Sequence, residues 1–212
     1  MSSLHRGRPP LSHIHVCDER VLASPRAGNI GVLFDESLNM VPHVTAMCKS
    51  AFYHLRKIRL IRKHLTFDAA QLLVQALVRS KLDYCNSLLY GLPKNVNKQL
   101  QRLQNAAAGV VTLSSKVCHI TPVLANLHWL SIYLWIESKI LSMDMILLIS
   151  KIFFNVTFRY GILGLHKNLL VMPAFNINSY GRRTFSVATP LLWNSLPQHI
   201  RHAGSLDFLK DS

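Results

Sequence analysis

Acidic residues are scarce in this chain: 10 Asp and Glu stand among 212 residues, against 24 Lys and Arg, for a formal net charge of +14. Scarce carboxylates remove the usual ligands of catalytic divalent ions, and the sequence contains neither an Asp-Asp pair nor an Asp-x-Asp. The adjacent acids Asp18-Glu19 and Asp35-Glu36 follow strand-like runs and read as turn formers. A Gly-rich phosphate loop, HExxH and GxSxG are also missing, which excludes three common enzyme signatures. No catalytic residue, metal site, cofactor or small-molecule substrate is therefore expected. His13 and His15 would share one face of a strand, but no third ligand is placed beside them, so solvated or core histidines are the better reading.

The four cysteines, Cys17, Cys48, Cys85 and Cys118, form no CxxC pair, which argues against a zinc clamp or redox motif and for free thiols, mostly buried. Residues 1–15 lack the apolar run of an export signal, so an intracellular protein, nuclear or cytoplasmic, is expected and Asn155-Val156-Thr157 is an idle sequon. The most apolar stretch, Ile140 to Phe154, contains Asp144 and Lys151 and falls short of the roughly 20 residues a membrane span needs. It reads as a core helix, with no membrane partner.

What is present is enough apolar material for a core, at 50% hydrophobic residues, under a positive field suited to polyanions. His13 to Cys17 alternates as a strand, with Val21 to Ala23 as its return; Gly28-Asn29 punctuates the chain before a second strand at Ile30 to Phe34. Beyond Pro42, Val44, Met47, Ala51, Leu55 and Ile58 recur at three- and four-residue intervals and predict one buried stripe of a long helix. Thr66 caps a second helix, with Ala69, Leu72, Leu73, Ala76, Leu77 and Ser80 as its expected core face, and Gly91-Leu92-Pro93 closes that unit. Asn95 is the expected cap of a third helix, buried along Val96, Leu100, Leu103, Ala107 and Val110 and wet along Lys94, Lys98 and Arg102. Thr121-Pro122 opens a short helix to Trp129, and a long apolar helix follows from about Ile132. Gly161, Gly164, Pro173, Gly181, Pro190 and Pro197 then cut the chain into loops, a strand at Leu169 to Met172 and a helix around Ala188 to Leu196. Trp129, Trp135 and Trp193 could offer stacking platforms, but their apolar surroundings favour core packing.

The basic helix is the strongest functional signal. Lys49, Arg56, Arg59, Arg62 and Lys63 meet no acid between Glu36 and Asp68, and Lys49, Arg56 and Lys63 are spaced by seven, on one line of the helix. Such cations neutralise phosphates, and Tyr53 among them could stack on bases or sugars. A merely solvated helix face is the alternative.

Five segments, Asn29 to Leu38 (NIGVLFDESL), Lys81 to Pro93 (KLDYCNSLLYGLP), Leu103 to Val111 (LQNAAAGVV), His119 to Leu130 (HITPVLANLHWL) and Phe185 to Arg201 (FSVATPLLWNSLPQHIR), resemble in this order the carboxy-terminal part of LINE-type non-LTR retrotransposon reverse transcriptases. The resemblance covers most of residues 14–210 and implies a mainly α chain. A β-hairpin region at 13–38, resembling the end of the palm, would follow a disordered 1–12; a helical thumb-like domain at 39–115 would precede a partly degenerate segment at 116–212. It places the catalytic aspartates upstream of this chain. It implies a noncatalytic fragment that grips an RNA/DNA duplex or single-stranded nucleic acid through phosphates, using Lys49, Tyr53, Arg56, Arg59, Arg62, Lys63, Lys98 and Arg102. Departures include Gly109 and Ser131, where relatives usually carry Arg and Pro, an unusually apolar stretch from Tyr133 to Leu170, and an end at Asp211-Ser212. These departures favour a truncated element, and the alternatives are a relic without function or a protein-interaction module using the former palm-facing surface.

Overall fold

The computed structural model describes residues 12–114, 118–154, 162–163, 169–174, 181–198 and 201, with backbone alone for 144–154 and 162–163. Residues 1–11, the sequon at 155–157, Gly161, Gly164 and the terminal 202–212 lie outside the described residues. The chain divides into two compact units, Met1–His43 and Val44–Ser212.

The first unit holds two antiparallel hairpins. β1 (His13–Val16) pairs with β2 (Glu19–Leu22), with Val16 opposite Glu19. β3 (Arg26–Asn29) pairs with β4 (Val32–Asp35), with Asn29 opposite Val32. Gly28 and Asn29 are thus strand residues, and the turn lies one step later, at Ile30-Gly31. Both turn residues have positive φ, 46° and 74°, the mirror-image geometry whose twist matches a two-residue hairpin. Glycine takes the second position freely, whereas Ile30 makes a poor local signal for it, which is why β3 escapes a reading of the sequence. After β4, Asp35 organises the chain: its Oδ1 accepts from the Met40 amide at 2.9 Å and its Oδ2 from Ser37 Oγ at 2.7 Å. Burial opposes ionisation there, but the Ser37, Met40 and Asn39 donors outweigh it and hold the carboxyl below its ordinary value.

α1 (Val41–Ile61) starts with Asn39 Oδ1 accepting the Val41 amide at 2.9 Å, and Pro42 sits in the first turn, where a missing N–H costs nothing. Val44, Met47, Ala51, Leu55 and Ile58 are all buried, as their spacing predicts, with Cys48 alongside them. Thr66 caps α2 (Phe67–Val74), its hydroxyl accepting from the Ala69 amide at 3.3 Å. α2 runs through a π turn, Gln75–Arg79, into α3 (Ser80–Asp83). Its core face differs from the expected one. Ala70, Val74, Val78 and Leu82 are buried, while Leu72 is 70% exposed and Ala76, Leu77 and Ser80 also face outward. Four-residue steps over-rotate an α-helix, and the wider i to i+5 turn keeps Val78 and Leu82 in line with Ala70 and Val74. Apolar residues surround this helix, so periodicity alone cannot choose between its faces.

α4 (Lys94–Thr112) begins after Pro93, one residue before the expected Asn95 cap, and buries all five expected positions together with Gln104, Ala108 and Val111. Gln104 is fully buried because its amide is used: Nε2 donates to the Leu130 carbonyl at 2.8 Å, and its Oε1 accepts from Gln101 Nε2 at 2.8 Å. Gln101 Oε1 in turn accepts the Ile132 amide at 2.9 Å, binding α4 to the start of α6. α5 (Ile120–Asn126) is capped at His119, which puts Pro122 at the third position of the helix and leaves Thr121 inside rather than at its cap. α6 (Ile132–Phe154) buries Ile132, Ile136 and Ile140. The strands β5 (Ile162–Leu163) and β6 (Leu169–Leu170) are two residues each, and β6 abuts α7 (Phe185–Ser195), where Asn194 exchanges two hydrogen bonds with the Leu170 backbone. Within the second unit α4 packs on α2, α5 and α6. No helix among the described residues is long and apolar enough to cross a membrane.

Candidate nucleic-acid interface

The cations of α1 occupy the face opposite its buried stripe. Lys49, Arg56, Lys57 and Arg59 are exposed, and Lys63 continues them in the 3-10 turn Arg62–His64. Seven residues of α-helix separate Lys49 from Arg56, about 10.5 Å along the axis. α1 contains no acidic residue, and none of these cations has a carboxylate partner among the described residues, where the ion pair is Lys139 to Asp83 at 3.2 Å. Arg59 in the last turn also suits the negative end of the helix dipole.

Tyr53 is 60% exposed on the same face, one turn from Lys49 and from Arg56. Its ring meets the edge of His54, centroids 5.5 Å apart, and the Lys57 ammonium lies 5.5 Å from its centre. Phe52, 40% exposed, and Leu60, 68% exposed, complete the face. Reading the sequence by charge misses Phe52 and Leu60 as members, and choosing cations by their seven-residue line leaves out Lys57. Completing the helical projection from Lys49 through Tyr53, Arg56 and Leu60 would have found them.

Arg62 belongs elsewhere. It is 7% exposed, and its guanidinium donates to three carbonyls: Nε to Val110 at 2.8 Å, Nη2 to Val111 at 2.6 Å and Nη1 to Leu65 at 2.9 Å. Val110 and Val111 sit in the last turn of α4, where carbonyls lack helical partners and the dipole favours a cation. Its membership of the phosphate-binding set is therefore corrected: it ties α1 to the end of α4. Charge and spacing alone do not separate it from Arg59, but its position four residues beyond Ile58 on the buried stripe does.

Lys98 and Arg102 are exposed, four residues apart on α4, and that helix also lacks acids. Gly109 lies two turns beyond Arg102 and three beyond Lys98 on the same side, and a methyl group placed there would meet nothing within 4 Å. Nothing brings Lys98 or Arg102 into contact with the cations of α1; the two helices meet through Arg62.

Trp129 is buried, as its apolar neighbourhood predicts. The aromatic chemistry that sequence reading misses is Arg79, whose guanidinium carbon lies 4.4 Å from the Trp129 ring centre and 4.9 Å from that of Trp135. Burial lowers the pKa of Arg79, and Asp83 acts in the opposite direction. Both indole faces toward Arg79 are occupied, so these tryptophans are structural anchors here. The rings of His13 and His15 do share a face, 5.3 Å apart, and no three His, Cys, Asp or Glu side chains cluster as metal ligands among the described residues.

No family model matches this chain, and neither the curated proteins nor the solved structures contain a significant match.

Proposed function

We propose that the chain is a noncatalytic nucleic-acid-binding fragment that holds the phosphate backbone without reading sequence, as its resemblance to the thumb region of LINE-type reverse transcriptases implies. The observation that carries this reading is the wet face of α1, where Lys49, Arg56, Lys57, Arg59 and Lys63 stand exposed with no acidic side chain on the helix. A face made soluble by charge alone usually alternates Glu with Lys at four-residue spacing; this one concentrates a single sign, as phosphate binding requires. Flexible side chains aimed at phosphates carry no base information, so the binding is sequence-tolerant.

The test is anisotropy of a labelled RNA/DNA duplex titrated with the full chain at about 50 and 200 mM salt. About four phosphate contacts give a log–log slope near −3.6 and a loss on the order of 100-fold across that range. The double variant Lys49→Glu/Arg56→Glu should bind far more weakly and with about half the slope. Unchanged affinity in a folded double variant would remove α1 as the site.

A second reading, a protein-interaction module, is favoured by the outward apolar side chains Phe67, Leu72 and Leu77 around α2. It requires Leu72→Glu to abolish binding of a protein partner while leaving the salt-dependent nucleic-acid affinity intact.

A further inference from the structure

Among the cations of α1 stand two aromatic rings, and that interleaving separates single strands from duplexes. We infer that this face takes single-stranded nucleic acid in preference to duplex, with phosphates on Lys49 and Arg56 and bases stacked on Tyr53 and Phe52; the inference rests on the nucleic-acid reading above. Tyr53 is 60% and Phe52 40% exposed, whereas the apolar side chains of the opposite stripe are buried. A duplex shows a helix its phosphates and sugars but keeps its base faces inside the stack, so it has nothing flat to cover either ring. A single strand carries unstacked bases, each with a π-face that any aromatic side chain accepts, whatever the sequence.

The spacing fits. Lys49 and Arg56 are about 10.5 Å apart along the axis. That leaves room between two held phosphates for a base turned out of the stack. Tyr53 lies between them, four residues after Lys49 and three before Arg56, where bases between two held phosphates would fall. Lys57, 5.5 Å from the ring centre, already shows that the Tyr53 face is open to a cation. Its flexible stem lets it yield the ring to a base and take a phosphate instead. An anionic membrane would also attract the cations, but the rings sit among them on the polar side, and no separate apolar face of α1 is free to enter a bilayer, since that stripe is buried.

The experiment titrates the full chain into labelled single-stranded DNA and RNA of about 12 nucleotides, and into duplexes of the same length and label, at low salt. The expected result is at least about fivefold tighter binding of the single strands, with the ratio falling toward one in Phe52→Ala/Tyr53→Ala. Tyr53→Leu, which keeps bulk but not the aromatic face, serves if the double variant loses its helical circular dichroism. Duplex bound as tightly as single strand, with a ratio insensitive to both variants, overturns the single-strand inference and leaves the phosphate reading standing. A folded chain that binds neither form overturns both, as does one that binds only vesicles of phosphatidylserine and phosphatidylcholine.

Discussion

The Nη2–H of Arg62 donates to the carbonyl of Val111 at 2.6 Å, across 49 residues of sequence, while Nε–H reaches Val110 at 2.8 Å. This buried cation joins two helix ends, and the exposed cations of α1 have no carboxylate partner among the described residues. Arg62→Met, which keeps much of the packing volume, should therefore lower stability by about 1–3 kcal/mol, because buried carbonyls lose their donors. Lys49→Gln should leave it within about 0.5 kcal/mol. Urea unfolding of the two variants measures the contrast; equal midpoints would show that the Arg62 bonds are dispensable.

Gly109 is a correctable weakness. It interrupts α4 where an added methyl meets nothing within 4 Å. Gly109→Ala should raise stability by about 1 kcal/mol, from helix propensity and a less flexible unfolded chain. A thermal midpoint that fails to rise would mean that α4 is frayed at this position.

Arg79 lies between Trp129 and Trp135 at 4.4 and 4.9 Å from their ring centres. Arg79→Ala removes both contacts and should cost about 1–2 kcal/mol. Intrinsic fluorescence reads the same change, because Trp129 and Trp135 lose the cation beside their rings. An emission spectrum identical to that of the parent protein would refute the stacked arrangement.

The cysteines divide by exposure. Cys17 and Cys118 are exposed, contrary to the expectation of mostly buried thiols, and burial pushes the Cys48 thiol up to about 11. Iodoacetamide at pH 8 should label Cys17 and Cys118 first and Cys48 only on unfolding, as mass spectrometry of the digested chain would reveal. Early labelling of Cys48 would contradict its place in the core.

Mild acid should loosen the turn into α1. The Leu33 amide donates to His43 Nδ1 at 3.3 Å, which requires that nitrogen to be unprotonated, and burial lowers the His43 pKa below 6.5. A depressed histidine contributes stability above its unfolded pKa and loses it as pH falls from about 6.5 through the folded value. Nitrogen-detected titration should place His43 below 6.5, with faster exchange of the Leu33 amide as it protonates. A His43 that titrates at or above 6.5 would invert the prediction.

Legibility tracked the contrast between neighbouring residues. α1 was readable because its five buried positions alternate with cations, so only one face could enter a core. The wet side of α4 was readable for the same reason, through Lys98 and Arg102. Around α2 no such contrast exists, since Ala69, Ala70, Leu72, Leu73, Val74, Leu77 and Val78 surround the axis and tertiary packing made the choice. The candidate site was legible in Lys49, Tyr53, Arg56, Arg59 and Lys63, while Arg62 shows the limit of charge as a guide: formal charge does not say whether a guanidinium meets water or carbonyl oxygen. Its partners are 48 and 49 residues away, beyond any local pattern.

The π turn at Gln75–Arg79 acts as a phase setter for everything that follows it. Each residue of an α-helix advances the direction of its side chain by about 100°. A single-residue deletion within that turn would leave an ordinary α-helix with Leu82 eleven steps from Ala70, about 20° off its line, whereas an α-helix that kept the residue would carry Leu82 about 120° away. The wide turn thus absorbs one residue that the helical period cannot place and keeps the core stripe in phase across it.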